Sequence, residues 1–290
     1  MGGGSWTTES FKSYSVDRGR SVGLDGSLSG HYTAQDLYRS VRIDPMMDPK
    51  GVCRECCDSD EHPNTKPVIL ALDVTGSMGE SLEEVAKKLN VVMTNLYEKV
   101  SDIEFMIMGI GDFAYDRSPL QVSQFESDIR IAEQLDKLYF ERGGGGNAYE
   151  SYTAAWYFAS RHTKLDCWNR GGKGVLITLG DEPLNPYIPS DKLSRVIGDS
   201  LQGNVDTKNI YEEVVNKYDV YHIVVDSPLN CYKFYKDAIQ GSFGNYLDED
   251  HLITTTTDNI VNSICNIILN HYGVTADESI TKVNENGISW

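Results

Sequence analysis

The segment D-V-T-G-S-M, Asp73 to Met78, sets a carboxylate and two hydroxyls at alternate positions, on Asp73, Thr75 and Ser77. In a loop between a strand and a helix, that alternation lets the three oxygens point the same way, and Gly76 lets the turn be tight. Hard oxygen donors suit Mg2+ best, admit Mn2+ and disfavour soft metals. Such a set leaves the cation partly coordinated, so water or an incoming carboxylate must complete it. This is the chemistry of holding a cation, not of transferring a group.

Three further aspartates close apolar runs: G-I-G-D at Asp112, I-T-L-G-D at Asp181 and I-V-V-D at Asp226. An aspartate at such a place also serves as a helix cap or turn former, which is the reading for Asp226 before Ser227-Pro228. For Asp112 both readings stand: a strand-end turn, or a hydrogen bond to metal-bound water.

The elements that position these groups are written in the hydrophobic pattern. Short apolar runs at Val68 to Leu72, Phe105 to Ile110, Val175 to Leu179, Val220 to Val225 and Leu252-Ile253 read as buried strands of a mostly parallel sheet. Between the first two, Leu82, Val85, Ala86, Leu89, Val92, Met93, Leu96 and Val100 repeat every three or four residues, one face of a long helix. Ile260, Val261, Ile264, Ile267 and Ile268 mark a last helix, and Ala148 to Ser160 and Ile210 to Tyr218 read as helical. In an open α/β sheet, ligands sit beyond the carboxyl ends of the strands where the strand order reverses, so the four aspartates share the informative edge.

Residues 1–66 are rich in Gly, Ser, Asp and Tyr without a sustained period, and read as an irregular extension with at most a short helix around Ala34 to Ser40. Its aromatic residues Trp6, Phe11, Tyr14, Tyr32 and Tyr38 are more than a free tail needs, so part of it should pack on the domain at 67–272; residues 273–290 read as a peripheral tail. The net charge of −17 repels phosphate backbones and anionic lipid, and no basic cluster offsets it. No apolar run is long enough to span a membrane, no secretory signal is present, and Trp6 stands where a myristoylation pattern needs Ser or Thr. Nucleic-acid and membrane partners are therefore not expected, and the expected location is cytoplasmic. The six cysteines are too sparse for a disulfide scaffold. Cys53, Cys56 and Cys57 with His62 offer soft ligands, but their spacing does not suit a zinc site, and incidental thiols are the simpler reading.

The motif and the order of elements resemble the von Willebrand factor A domain family over Pro67 to Tyr272. D-V-T-G-S-M is similar to the D-x-[ST]-x-S signature of that family's metal ion-dependent adhesion site. The resemblance implies a Rossmann-like three-layer α/β/α fold, with a central, mostly parallel sheet and one antiparallel edge strand. It also implies a ligand aspartate after the fourth strand, commonly in T-D-G; here I-T-L-G-D-E-P supplies Asp181, with the glycine shifted ahead of it. The remaining family ligand is a threonine in a glycine-rich loop, and E-R-G-G-G-G-N-A-Y-E-S has none. Asn147 is the substitute, with Gly146 the alternative in the other alignment. The loop is similar to the G-G-G-D-x-P-E variant of some intracellular members, giving Glu150 a supporting place around the ion. Glu182 has a water-mediated or capping place beside Asp181.

The implied function is that of a metal-dependent protein-binding module, an adaptor or scaffold rather than an enzyme. A partner's Asp or Glu completes the octahedron of Mg2+, with Mn2+ as substitute, and relatives in this family serve large machines including AAA+ ATPases. The alternatives are a metal-dependent hydrolase using Asp181 or Asp112 as base and a structural subunit with a vestigial site. Enzymatic motifs argue against the first. Thr75 stands where a haloacid dehalogenase-like phosphatase needs its second aspartate, and Gly172-Lys173-Gly174 is not a P-loop. The glycines Gly143 to Gly146 lack a nearby lysine for phosphate. No G-x-S-x-G elbow or H-E-x-x-H helix occurs, and the six histidines form no ligand-spaced pair.

Overall fold

The computed structural model describes residues 4–141 and 149–274. Its apolar runs form one sheet of six strands: β1 (Lys66–Asp73), β2 (Ile103–Ile110), β3 (Leu120–Val122), β4 (Gly174–Gly180), β5 (Tyr218–Asp226) and β6 (Leu252–Thr256). The spatial order is β6-β5-β4-β1-β2-β3, with every neighbour parallel except β3, which runs antiparallel to β2 at the edge. Every residue of β2 and β4 is buried, which is why these strands read as unbroken apolar runs and not as alternation. From β1 the chain builds outward through β2 and β3, then returns to the other side of β1 to lay down β4, β5 and β6. The order therefore reverses between β1 and β4, opening a crevice beyond their carboxyl ends.

Successive side chains of β1 feed two cores. Val68, Leu70 and Leu72 pack on one face beneath Leu82, Val85, Leu89, Val92 and Leu96, together with Ile260, Ile264 and Ile268 of the helix Ile260–His271. Ile69 and Ala71 pack on the other beneath Tyr152, Trp156, Ile210, Val214, Ile239 and Phe243. Helices thus cover both sheet faces.

The long helix bends at Lys88 into Gly79–Lys87 and Leu89–Tyr97. The helix expected from Ile210 to Tyr218 occupies Thr207–Val214 instead, and Tyr218 opens β5. Ile210, Val214 and Tyr218 are all buried and four residues apart, so helical spacing continues across a boundary set by the turn at 215–217. The helix expected from Ala148 to Ser160 runs Tyr152–Arg161, with Ala148 outside the described residues.

The N-terminal segment contains a helix, Thr8–Asp17, where the sequence shows no period. Only Phe11, Tyr14 and Ser15 of it are buried, too few to write one, and Thr7 caps it by accepting from the Ser10 amide. Trp6 Nε1 donates to Asn90 Oδ1 at 3.0 Å and Tyr38 donates to the Leu82 carbonyl at 2.9 Å. Arg54–Cys56 pairs in parallel with Thr163–Leu165. Among the described residues no helix is long and apolar enough to cross a membrane.

Candidate metal centre

Asp73 ends β1 in register with Ile110 of β2, and Asp181 follows directly on β4, whose Leu179 pairs with Leu72. The two carboxylates therefore flank the crevice from neighbouring strands. Between them the loop after β1 turns through a short 3-10 helix, Gly76–Met78. Asp73 Oδ1 accepts from the Thr75 amide at 3.0 Å and from Thr75 Oγ1 at 2.6 Å, which fixes the turn. Thr75 Oγ1 lies 3.4 Å from Ser77 Oγ, and Ser77 Oγ donates to Asp181 Oδ1 at 3.1 Å. Alternation along the loop has thus brought one carboxylate and two hydroxyls into a chain that ends on a second carboxylate.

Two residues that the sequence did not single out, Tyr152 and Cys231, complete the setting together with Gly180. Tyr152 donates to Asp73 Oδ2 at 2.9 Å and accepts from the Glu182 amide at 3.4 Å, so one phenol ties both strand ends together. Gly180 makes room for it, since a Cβ there would lie 1.9 Å from the Tyr152 hydroxyl. The glycine shifted ahead of Asp181 is the one sequence signal of that approach. The Cys231 amide donates to Asp181 Oδ2 at 2.6 Å from the start of the helix Tyr232–Phe243.

Asp112 Oδ1 accepts from the Ala114 amide at 2.8 Å, and Asp116 Oδ2 accepts from the Asp112 amide at 2.7 Å; the pair shapes the loop after β2. Glu150 is buried, bridges to Leu184 through its backbone, and leaves Oε2 without a hydrogen-bond partner. Asn147, Gly146 and the rest of the glycine run lie outside the described residues.

The crevice concentrates carboxyl groups, and their burial together disfavours the charged form. Burial, and then the neighbouring Asp181, holds the Asp73 carboxyl well above its usual range, and burial raises Asp181. Burial and then Asp73 push Glu150 up to about 12; burial and then Asp181 push Glu182 up to about 7. Burial also raises Asp116 to about 6. Among the described residues, no Lys, Arg or His forms an ion pair with Asp73, Asp116, Glu150, Asp181 or Glu182. A hard divalent cation fits this set: the donors are all oxygens, Glu150 Oε2 is an orphaned buried acceptor, and positive charge is what the site lacks. Among the described residues no three His, Cys, Asp or Glu side chains are grouped so that they alone could hold a metal ion.

A second polar constellation lies elsewhere. Ser127 Oγ is 3.2 Å from His62 Nε2, and His62 Nδ1 is 3.4 Å from Asp102 Oδ1. The order mimics a hydrolytic relay, but His62 Nε2 faces the Gly4 carbonyl at 2.9 Å and Ser127 Oγ donates to the same carbonyl at 2.7 Å. A ring nitrogen that donates to Gly4 cannot accept the serine proton, and Ser127 is fully buried. The group clamps the N-terminal segment to the domain.

No protein-family model matches the sequence, and no curated protein is significantly similar to it. By structure the chain is similar to the pilus adhesin SpaC from Lactobacillus rhamnosus GG in its open conformation, at 12% identity and a TM-score of 0.48, over 76% of this chain and 31% of the adhesin. It thus spans about a third of that adhesin's length. It is also similar to the vWF domain of the type V pili tip protein Mfa5 from Porphyromonas gingivalis, at 12% identity and a TM-score of 0.47, over 74% of this chain and 97% of that domain. A third likeness is to the SpRpn10 VWA domain, at 12% identity and a TM-score of 0.42, over 73% of this chain and all of that domain. With a mostly parallel sheet that reverses between β1 and β4, an antiparallel edge strand and helices on both faces, the chain has the Rossmann-like three-layer α/β/α architecture that the resemblance to the von Willebrand factor A family implies.

Proposed function

We propose that the chain is a metal-dependent protein-binding module whose Mg2+ is held by Asp73, Thr75, Ser77 and Asp181, with Asn147 as the ligand from the glycine loop. Mn2+ substitutes for Mg2+. The observation that carries this reading is the link from Ser77 to Asp181, which closes the β1 loop onto the β4 end across the strand reversal. A hydroxyl can keep donating to its carboxylate while its lone pair faces an ion, so the chain of contacts needs little rearrangement. Asp112, Glu150 and Glu182 hold water around the ion. The bound ion supplies an open coordination position, and an Asp or Glu of a protein partner fills it. The residues of the chain then do two things: they keep the ion at the surface, and they repel any carboxylate that arrives without it. An adaptor or scaffold role follows, with a large assembly such as an AAA+ ATPase as the partner class that the family resemblance brings.

The test is capture from a lysate of the source organism on the immobilised chain, in Mg2+ and in chelator, with Asp181→Asn as control. The expected result is a partner retained only by the unaltered chain in Mg2+. The same partner recovered in chelator, or on Asp181→Asn, would contradict the reading.

A further inference from the structure

A cavity of about 530 Å3 opens beside the edge strand β3. Hydrocarbon lines it, from Ile43 and Pro49 of the N-terminal segment, Pro119 and Leu120 at the start of β3, and Val196 at the end of the helix Ser190–Val196. Three cations stand on the same lining, Lys50, Arg117 and Arg195, all of them exposed. They come from segments far apart in the chain, which is why the sequence shows no basic run.

None of the three forms an ion pair among the described residues. With 43 acidic residues against 26 basic ones, the chain holds carboxylates in excess, and Arg18, Arg20, Arg130, Arg161 and Arg170 each take one. The described arginines that take none are Arg39, Arg42, Arg54, Arg117 and Arg195. The first three belong to the stretch 39–54, which also gives Ile43, Pro49 and Lys50 to the cavity. Two carboxylates line the cavity as well, but each is turned to a nearby backbone amide. Asp48 Oδ1 accepts from Lys50 at 2.9 Å and Asp116 Oδ2 from Asp112 at 2.7 Å. Uncompensated positive charge is thus gathered at one place on an acidic molecule.

Internal hydrogen bonds fix the walls. Arg54 is buried and donates through Nη2 to the Met46 carbonyl at 2.8 Å and to the Val122 carbonyl at 3.0 Å, pinning the N-terminal segment on β3. The Gly51 amide donates to the Ile197 carbonyl at 2.8 Å, and Glu141 Oε1 accepts from the Arg117 and Ser118 amides at 3.0 and 3.2 Å. Docking here orders side chains on a backbone already held, which lowers its cost.

We infer that this cavity docks an acidic segment of a protein partner, its carboxylates interspersed with apolar side chains, whether or not a cation occupies the crevice. Carboxylates pair with the guanidinium and ammonium groups, and the apolar side chains cover the hydrocarbon between them. A bare inorganic anion leaves that hydrocarbon unused. A nucleic acid runs on past the patch into the field of a chain of net charge −17, whereas a short segment feels chiefly the local cations, because exposed charges beyond about 10 Å are screened at about 0.1 M salt.

A labelled peptide, G-S-D-L-E-D-L-E-S-G, followed by fluorescence anisotropy with the full chain in chelator, tests this. It should bind at about 50 mM salt and lose about tenfold in affinity at about 500 mM. The amide counterpart G-S-N-L-Q-N-L-Q-S-G, the serine counterpart G-S-D-S-E-D-S-E-S-G and a labelled oligothymidylate of the same charge as the first peptide should each bind about tenfold more weakly or worse. Arg117→Ser with Arg195→Ser should weaken the first peptide by about tenfold, about threefold for each exposed pair, and melt like the unaltered chain. Arg117→Lys with Arg195→Lys keeps both charges and should stay within about threefold, which separates lost charge from lost fold. Lys12→Ser with Lys233→Ser removes the same charge from exposed sites outside the cavity and should leave binding unchanged. Binding of the first peptide only in Mg2+, equal affinity for the amide peptide, tighter binding of the oligothymidylate, equal weakening by the Lys12 and Lys233 pair, or no binding at millimolar concentration would overturn the inference.

Discussion

Replacing Asp73 by asparagine should reverse its effect on stability according to whether Mg2+ is present. Links of 2.6, 3.4 and 3.1 Å join Asp73 Oδ1 to Asp181 Oδ1 through Thr75 and Ser77, which puts the two carboxylates within about 9 Å of each other. At an effective dielectric constant of about 20, unit charges at that limit repel by about 2 kcal/mol. Asparagine keeps an acceptor for Thr75 and turns its amide towards Tyr152, whose hydroxyl can accept as well as donate, so the hydrogen bonds survive while the charge goes. In chelator Asp73→Asn should therefore be more stable than the unaltered chain by about 1–2 kcal/mol. In Mg2+ at about a hundred times its dissociation constant, the unaltered chain should gain about 2.7 kcal/mol, a rise of about 5 °C or more in Tm, and the variant almost nothing. Thermal melts of both proteins in both buffers read the crossing directly. A variant less stable in chelator, or one that gains as much from Mg2+ as the unaltered chain, would refute the reasoning.

Three other outcomes follow from the packing. His222 is fully buried with Nδ1 2.8 Å from Thr178 Oγ1, and burial lowers its pKa from 6.5 to about 3. The unfolded chain takes up this proton near pH 6.5 and the folded chain near 3, so its contribution is intact above pH 6.5 and lost as pH falls through that window. Relative to the unaltered chain, His222→Asn should gain about 1.5 to 2 kcal/mol between about pH 6.5 and about pH 5 in denaturant titrations, and parallel pH curves would count against it. Gly180→Ala drives a Cβ into the Tyr152 hydroxyl and should cost about 1–3 kcal/mol together with Mg2+ affinity; an unchanged melt and titration would show that Tyr152 yields freely. Trp6→Ala removes a buried indole bonded to Asn90 and should cost about 3 kcal/mol by denaturant titration, whereas an unchanged midpoint would mean that the N-terminal segment does not stabilise the domain.

The sheet was legible because its central strands are buried on both faces, so each appears as a continuous apolar run. The long helix was legible from its period, although the bend at Lys88 leaves no mark in a pattern that continues through it. The N-terminal helix was hidden because its order comes from a few long-range anchors, such as Trp6 on Asn90 and Tyr38 on Leu82, which local spacing does not record. At the candidate site, Asp73, Thr75 and Ser77 were legible because one short loop carries them, and Asp181 because it ends a strand. Tyr152 was not, because it reaches Asp73 from a helix 79 residues later, through a space that only the glycine at 180 keeps open. Cys231 contributes a backbone amide, a donor that every residue but proline has, so no residue type could announce it.

Isothermal titration of Mg2+ into the full chain, repeated with Ser77→Ala and with Asp181→Asn, bears most directly on the claim that the crevice holds a hard cation. The expected isotherm shows one site for the unaltered chain, a loss of about tenfold or more in affinity for Ser77→Ala, and no measurable binding for Asp181→Asn. A flat titration of the unaltered chain with both Mg2+ and Mn2+, or the same isotherm in all three proteins, would contradict it.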